Sequence, residues 1–194
     1  MPTWSSANDL QREGFSAYLK KYLEAAVPLK KEDGLTLLDG RGNLKTELRD
    51  IIDIAKRYQL VISTGHISPK ESLVLAKESK QAGFGPVIFA HPDSHSVGAT
   101  FEDIKGMVEQ GAFIEICGIG MMPAMQRIHP REVVKWIKEI GAEHFVLSTD
   151  FFFGWPPPVP EMLRMMIATF LGLGLSAEEI RLLVQMNPAR ILRM

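Results

Sequence analysis

Leu60-Val61-Ile62-Ser63-Thr64-Gly65-His66 is an apolar stretch that ends in a polar residue, and this pattern recurs twice along the sequence. The second example is Val87-Ile88-Phe89-Ala90-His91, and the third is Phe145-Val146-Leu147-Ser148-Thr149-Asp150. Helix-like segments separate these strand-like stretches, which predicts right-handed crossovers and a parallel sheet. In barrels built from parallel strands, catalytic residues lie at the carboxyl ends of the strands. The sequence therefore predicts an α/β enzyme whose site contains two histidines and an aspartate.

Local start and stop signals place helices between these strands. Ser68-Pro69-Lys70-Glu71 is a capping box with proline at the first helical position, so a helix begins two residues after His66. Thr100 and Asp103 form a similar signal, and a helix over residues 130–140 is predicted to stop at Gly141. Further helices are predicted over residues 10–26 and 44–58, from about residue 161, and after the cap at residues 176–179, with further strands over residues 35–38 and 112–117.

The number of strands and the position of their polar ends favour an incomplete barrel. Five predicted strands alternate with helices in a chain of 194 residues. A complete eight-stranded barrel takes about 250 residues, and an incurving sheet brings strand ends together more easily than a flat one. We expect one α/β domain over residues 1–194 that forms a partial (β/α) TIM-like barrel whose first strands are missing.

Composition and charge narrow the range of partners. Hydrophobic residues make up 46% of the chain, the net charge is −1 and the sequence pI is about 6.5. These values provide no general attraction to nucleic acid or to an anionic membrane, which leaves a small molecule as the expected partner. The single cysteine, Cys117, excludes an intrachain disulfide and fits a reducing compartment. Since no signal-peptide pattern and no apolar stretch of about 20 residues is present, the sequence predicts a cytoplasmic protein without a membrane span.

Two histidines and an aspartate have the chemistry of a divalent metal site. Neutral imidazole is a good ligand for zinc, and a carboxylate adds negative charge that helps to hold the cation. A catalytic metal lowers the pKa of water to about 7, and a neighbouring carboxylate can take the proton. The sequence thus predicts His66, His91 and Asp150 as metal ligands, zinc as the metal, and Asp150 as the catalytic residue. The structural alternative is that both histidines cap strands by bonding to the backbone and that Asp150 is a turn residue.

Two further residues are candidates for the site. Glu115 shares one face of its strand with Cys117, so it is either a member of the site or an internal hydrogen-bond partner. His95 follows His91 by four residues in the same loop, where it either contacts substrate or is an ordinary exposed histidine. The aromatic, proline-rich loop over residues 151–160 either walls the site or packs as a connection to the next helix.

The order of these features resembles the later half of amidohydrolase-superfamily metal-dependent hydrolases. A strand-end histidine at 66, a second at 91, a strand-end Asp150 and a terminal Asn187-Pro188-Ala189-Arg190 carry the likeness, which covers residues 35–194. The resemblance implies that the two histidines close strands five and six of the barrel, that Asp150 closes strand eight, and that the Asn-Pro-Ala-Arg segment opens the last helix. It also implies a divalent metal as the cofactor.

The chain departs from that family on its amino-terminal side. No His-x-His pair precedes His66, and Asp39 follows residues 35–38, where the family has a lysine or glutamate ligand. Because the ligand set is thin, we expect zinc to be weakly bound or absent unless Glu115 or a partner chain contributes. An open sheet edge also predicts a homo-oligomer, with an edge strand or the apolar helix around residues 162–171 in the interface.

Three functional hypotheses follow from the sequence. The first is metal-dependent hydrolysis of an amide, ester or related bond in a small molecule. The second is a truncated or degenerate barrel that is inactive and serves as a structural or binding subunit, which the missing His-x-His pair favours. The third is a phosphoesterase of the polymerase-and-histidinol-phosphatase type (PHP), which is disfavoured because Phe152 stands where that family has a histidine.

Overall fold

A computed structural model describes residues 1–14, 17, 30–123, 126–151 and 157–194. The strands are parallel and alternate with helices, which confirms the α/β class and the partial TIM-like architecture. The strands are β1 Ile62–Ser63, β2 Val87–Ala90, β3 Phe113–Cys117 and β4 Phe145–Ser148. The α-helices are α1 Ala7–Arg12, α2 Thr46–Arg57, α3 Pro69–Gln81, α4 Phe101–Glu109, α5 Pro130–Ile140, α6 Val159–Gly172, α7 Ala177–Arg181 and α8 Asn187–Leu192. Short 3-10 turns over Lys31–Asp33, Gly118–Met121 and Ala142–His144 and a π-helical turn over Leu182–Met186 complete the described elements.

The predicted helix signals have their expected geometry. At the start of α3, the backbone N–H of Glu71 donates to Ser68 Oγ over 3.3 Å, and the N–H of Ser68 donates to Glu71 Oε2 over 2.9 Å. The same reciprocal arrangement of Thr100 and Asp103 begins α4. Helix α5 ends before Gly141, whose φ of 111° is a conformation that a side chain rarely permits. These capping interactions are local in sequence, which is why the sequence predicts them well.

Two predicted elements differ from the structure. Helix α1 begins at Ala7 rather than at residue 10, and most of the predicted continuation to residue 26 lies outside the described residues. Residues 35–38 form isolated bridges instead of a strand. The physical reason is a competing acceptor, because Thr36 Oγ1 and the N–H of Leu37 both donate to Glu71 Oε1, over 2.7 and 2.8 Å. Within the loop predicted over residues 151–160, residues 152–156 lie outside the described part.

The chain divides into two compact units, residues 1–112 and 113–194. In the first unit, β1 pairs with β2 so that Ile62 lies opposite Val87. The core of this unit contains Leu37, Leu44, Ile52, Ala55, Ile62, Ile67, Leu75, Phe84 and Val87. The prediction of a single domain over the whole chain stays a prediction. No helix among the described residues is long and apolar enough to cross a membrane.

The second unit is built around the parallel pair of β3 and β4. Glu115 lies opposite Val146, and Cys117 lies opposite Ser148. Side chains of both strands and of the surrounding helices are buried: Ile114, Ile116, Val133, Ile137, Phe145, Phe170 and Leu183 are all at 0% exposure. Burial on both faces of a strand pair is typical of parallel sheets covered by helices.

Asn187 joins the carboxyl-terminal helix to the start of β4. Its side chain is 2% exposed, and Nδ2 donates to the carbonyl oxygens of Ala142 and Phe145 over 2.8 and 2.7 Å. The residue also begins α8, as the Asn-Pro-Ala-Arg resemblance implies. A single buried amide therefore holds the helix against the segment that enters β4.

We expect Asn187→Ala to lower the free energy of unfolding by about 2–4 kcal/mol, because two carbonyl groups lose their donor and a buried cavity forms. Urea denaturation of the purified chain measures this change. The control is Gln185→Ala, since Gln185 is exposed two residues earlier and should change stability by less than about 0.5 kcal/mol. Equal stability of the two variants would contradict the assigned role of Asn187.

Candidate functional site

His66 lies just past the end of β1, where a buried carboxylate fixes its ring. Its side chain is 8% exposed, and Nδ1 lies 3.0 Å from Oδ1 of Asp9, which is 0% exposed. The backbone N–H of His66 donates to the carbonyl oxygen of Pro2 over 3.0 Å. Gly65 makes this approach possible, because a Cβ at its φ of 61° would lie 2.6 Å from that carbonyl oxygen. Both the backbone and the imidazole of His66 are thus held by the first residues of the chain.

The first turn of α1 binds the loops that follow both strands of the first unit. Ser6 Oγ and Asn8 Nδ2 donate to the carbonyl oxygen of His66 over 2.9 and 3.2 Å. Asn8 Nδ2 also donates to the carbonyl oxygen of Ser96 over 2.6 Å, in the loop after β2. Gly14 leaves room for this arrangement, since a Cβ there would clash with the Asp9 carboxylate and with Ser96. Helix α1 therefore positions the two strand-end loops relative to each other.

His91 directly follows β2 and contacts His66. The two ring centroids lie 4.9 Å apart with the ring planes at 71°. His91 has a φ of 29°, a backbone conformation that is uncommon outside glycine and is often found at functional sites. Burial, together with the neighbouring His66, lowers the pKa of His91 to about 4, so its imidazole is neutral at physiological pH. A neutral imidazole keeps a lone pair for a metal or for a proton.

Ser94 orients the ring of His91. Ser94 Oγ lies 3.3 Å from His91 Nδ1, and the backbone N–H of Val97 donates to the same hydroxyl over 3.2 Å. Because Ser94 Oγ has a second lone pair, it can accept a hydrogen bond from Nδ1–H of His91. In that tautomer the lone pair of His91 is on Nε2. The Asp9 carboxylate selects the same tautomer of a neutral His66.

Asp93 is a buried carboxylate in the same loop. Neither of its carboxylate oxygens has a hydrogen-bond partner among the described residues. Burial raises the pKa of Asp93 to about 6. Groups with such displaced pKa values concentrate at functional sites, because proton transfer near neutral pH requires them.

The arrangement of His66 and His91 fits two ligands of a divalent metal. Histidines that bind metals usually donate their second ring nitrogen to a carboxylate, a carbonyl or another polar group, which fixes the ring and its tautomer. Asp9 is such a partner for the ring of His66, and Ser94 is such a partner for the ring of His91. Within the part of the chain that the structure describes, no group of three or more His, Cys, Asp or Glu residues is arranged to hold a metal. The first unit therefore brings together two imidazoles of the ligand type, each with a polar partner that can hold its ring.

The other residues predicted for the site have the following positions. Asp150 belongs to the second unit, is exposed two residues after β4, and has a φ of 52°. Glu115 is half-buried on β3; burial raises its pKa, and a hydrogen bond with the Ser148 side chain opposes that change. His95 is exposed, and its carbonyl oxygen accepts a hydrogen bond from Arg12 Nε over 2.7 Å. The structure brings His66 and His91 together, whereas the roles of Asp150, Glu115 and His95 stay predictions.

Sequence reasoning missed the part of the site that α1 contributes. Asn8 and Asp9 are separated from His66 by more than 50 residues, so no spacing rule links them. The available signal was the polar run Ser5-Ser6-Ala7-Asn8-Asp9, which precedes an apolar residue and has the composition of a helix start. Asp93 was visible only as a loop residue two positions after His91.

Comparison with known proteins places the first unit in a defined family. The family model DUF6282, described as a family of unknown function, matches residues 1–115. The chain belongs to the DUF6282 family. The matched residues include α1, both strands of the first unit and the His66–His91 pair. No curated protein matches this DUF6282 chain.

Solved structures of hydrolases share the fold of this DUF6282 protein. The organophosphorus hydrolase from Deinococcus radiodurans is 19% identical, with a TM-score of 0.56, over 74% of this chain and 49% of that chain. A structure from the engineering of organophosphate hydrolysis activity on a weak promiscuous lactonase template is also 19% identical, with a TM-score of 0.56, over 74% of this chain and 50% of that chain. The chain thus spans about half the length of these hydrolases. An identity of 19% confirms the resemblance to barrel hydrolases in the fold alone.

We expect Asp93→Asn to stabilise the metal-free protein at pH 8 by up to about 3 kcal/mol. The pKa of the Asp93 carboxyl is about 6 in the folded chain, against an ordinary value of 3.8, so the folded state binds the proton more tightly than the unfolded state. The resulting cost to stability is fully present above pH 6 and disappears as the pH falls towards 3.8. The stabilisation should therefore shrink as the pH is lowered to 4.5.

Chemical denaturation at several pH values with a chelator present measures this difference. The matched control is Asp53→Asn on α2, because Asp53 is exposed and should show little change at any pH. A gain for Asp93→Asn that does not depend on pH would contradict a buried, unpaired carboxylate at this position.

Proposed function

We propose that this protein is a metal-dependent hydrolase of small molecules, with His66 and His91 as metal ligands. The observation that carries the proposal is the contact between two histidine rings at strand ends, one of them hydrogen-bonded to a fully buried carboxylate. This combination matches the way proteins orient histidines for metal binding. The shared fold of organophosphorus hydrolases supports a hydrolase as the reaction class.

The residues of the first unit have distinct roles in this proposal. Asp9 holds the Nδ1–H of His66 and keeps the ring in one orientation, while Ser94 does the same for His91. A divalent metal, with zinc as the candidate, supplies Lewis acidity and water of lowered pKa when it is bound. Asp93 is a candidate to accept or return a proton, because both of its buried carboxylate oxygens lack a hydrogen-bond partner among the described residues. Asp150 remains the proposed additional ligand and catalytic carboxylate.

Substrates for a first assay follow from the fold neighbours and from the charge of the chain. The neighbours are described as an organophosphorus hydrolase and as a lactonase template, so a phosphotriester and a lactone are the natural starting pair. Both belong to the esters and related bonds that the sequence predicts. The alternative of a binding subunit without catalysis is favoured by one observation, the lack of a third ligand among the described residues.

We expect zinc to bind more weakly than at a structural zinc site, because only two ligands are assigned in the first unit. His66→Asn and His91→Asn should abolish binding, and Asp9→Asn should weaken it by about 10- to 100-fold, since a supporting carboxylate has effects of this size. Calorimetric titration of the chelator-treated chain measures all three. Lactone and phosphotriester hydrolysis with zinc present should be lost in the two histidine variants.

The control for these variants is His129→Asn. Nδ1 of His129 accepts a hydrogen bond from the N–H of Arg131 at the start of α5, and asparagine is an equally good residue for that helix cap. Unchanged zinc binding by His66→Asn would contradict the metal site. Zinc binding that depends on both histidines, without hydrolysis of either substrate, would favour the binding subunit.

We also propose that the chain forms a homo-oligomer through a groove in the first unit. The groove has a volume of about 740 Å³ and is lined by apolar side chains of α2 and of the segment that enters β1. Leu35, Ile51, Ile54 and Leu60 are 43–54% exposed in it. Isolated exposed apolar side chains are ordinary, but a contiguous set of them usually marks an interface.

The double variant Ile51→Lys, Ile54→Lys should convert an oligomer into a monomer, because two charges would enter the apolar groove. Analytical ultracentrifugation at micromolar concentration measures the mass of each form. The matched variant is Met165→Lys, Leu171→Lys on α6, whose side chains are 52% and 44% exposed and represent the other predicted interface. A monomeric wild-type chain would contradict the proposal, and dissociation only by the α6 variant would move the interface to that helix.

A further inference from the structure

The loop Asp39-Gly40-Arg41-Gly42 has no role in the proposed hydrolysis. It lines a cavity of about 520 Å³ together with Thr36, Leu38 and Lys70. Lys70 is in the first turn of α3 and follows His66 by four residues. The cavity is therefore formed in part by the segment that continues directly from the candidate metal ligand.

The carboxylate of Asp39 shapes the loop from within. Asp39 Oδ1 accepts hydrogen bonds from the N–H groups of Arg41 and Asn43, both over 2.9 Å. The N–H of Gly42 donates to the carbonyl oxygen of Asp39 over 3.0 Å. These donors occupy Oδ1 of Asp39, and its carboxylate makes no ion pair with the cations of the cavity among the described residues.

Two cations line the cavity without a partner. Arg41 and Lys70 are exposed, and neither side chain makes a hydrogen bond or an ion pair with any residue that the structure describes. A Cβ at Gly42 would lie 4.0 Å from Lys70 Nζ, so the ammonium group is next to the loop. By contrast, Lys45 Nζ in the same unit donates to the carbonyl oxygen of Thr36 over 2.8 Å.

The cavity has room for a ligand group beside the loop. A Cβ at Gly40 would meet no atom within 4 Å, so the space beside the backbone of the loop is open. Arg41 and Lys70 outnumber the one carboxylate of the cavity, that of Asp39, so the lining keeps an excess of positive charge that favours an anion. A planar guanidinium can bind two oxygens of a phosphate or carboxylate at once. The ammonium group of Lys70, next to the same loop, adds a point charge to the same anion.

We propose that Arg41 and Lys70 bind the anionic group, a phosphate or a carboxylate, of a small-molecule ligand. A second part of the proposal rests on the proposed function: this ligand is the substrate of the hydrolase. The cavity then holds its anionic end next to Lys70, in the helix that follows His66. The site then selects anionic esters over neutral ones. Binding of the anion itself does not depend on the metal.

Titration with inorganic phosphate, followed by the amide NMR shifts of Gly40 and Gly42, tests the binding site directly. We expect saturable shifts in the wild-type chain and a loss of affinity of about tenfold in Arg41→Gln and in Lys70→Gln, as for a charge-assisted hydrogen bond. Arg57→Gln and Lys77→Gln are matched controls, because both residues are exposed in the same unit outside this cavity. Thermal melting of each variant checks that it is folded. Absence of saturable shifts, or equal affinity in all four variants, would overturn the proposal.

Acetate in place of phosphate distinguishes the two possible anionic groups, since the tighter of the two probes identifies the preferred chemistry.

A second measurement compares hydrolysis of an anionic ester with that of its neutral methyl ester by the zinc-loaded protein. We expect Arg41→Gln to raise KM for the anionic ester about tenfold and to leave kcat and the neutral ester nearly unchanged. If neither ester is hydrolysed while phosphate binding depends on Arg41 and Lys70, the proposed function fails and the anion site stands. An equal change in KM for both esters would overturn the role in substrate selection.

Discussion

The hydrogen bond between Asp9 and His66 is the interaction on which the candidate site depends. Asp9 is completely buried, and an ionised carboxylate in such a place is costly unless it is paired. The imidazole of His66, 3.0 Å away, provides that partner. Rotation of the ring would therefore leave the buried carboxylate without a hydrogen bond. The carboxylate thereby fixes both the orientation and the tautomer of the histidine.

The same short helix connects this pair to the rest of the first unit. Asn8, next to Asp9, binds the carbonyl oxygens of His66 and Ser96 and so joins the loop after β1 to the loop after β2. His91 begins the second of these loops in an uncommon backbone conformation, with its ring against His66. A backbone held in that conformation requires firm support from its surroundings. We attribute that support to the hydrogen bonds between α1 and the loops.

Features that depend on neighbouring residues could be predicted from the sequence, whereas long-range hydrogen bonds could not. The capping boxes of α3 and α4 and the end of α5 at Gly141 follow from side chains within four positions of each other. The histidines at strand ends follow from apolar runs and from the rule for parallel strands. The pairing of Asp9 with His66 spans 57 positions, and the Glu71 carboxylate that takes the N–H of Leu37 from a sheet ladder spans 34. Such contacts form when distant segments of the chain pack together. The spacing of apolar residues along the sequence does not predict which segments these are.

We propose that Asp9 and Ser94 present His66 and His91 to one divalent cation. The most direct measurement is anomalous diffraction at the zinc absorption edge from crystals of the protein soaked in zinc. We expect one strong peak at about 2.1 Å from Nε2 of both histidines, the usual length of a zinc–imidazole bond. A fully soaked crystal with no peak between the two rings, or with zinc bound only at other residues, would contradict it.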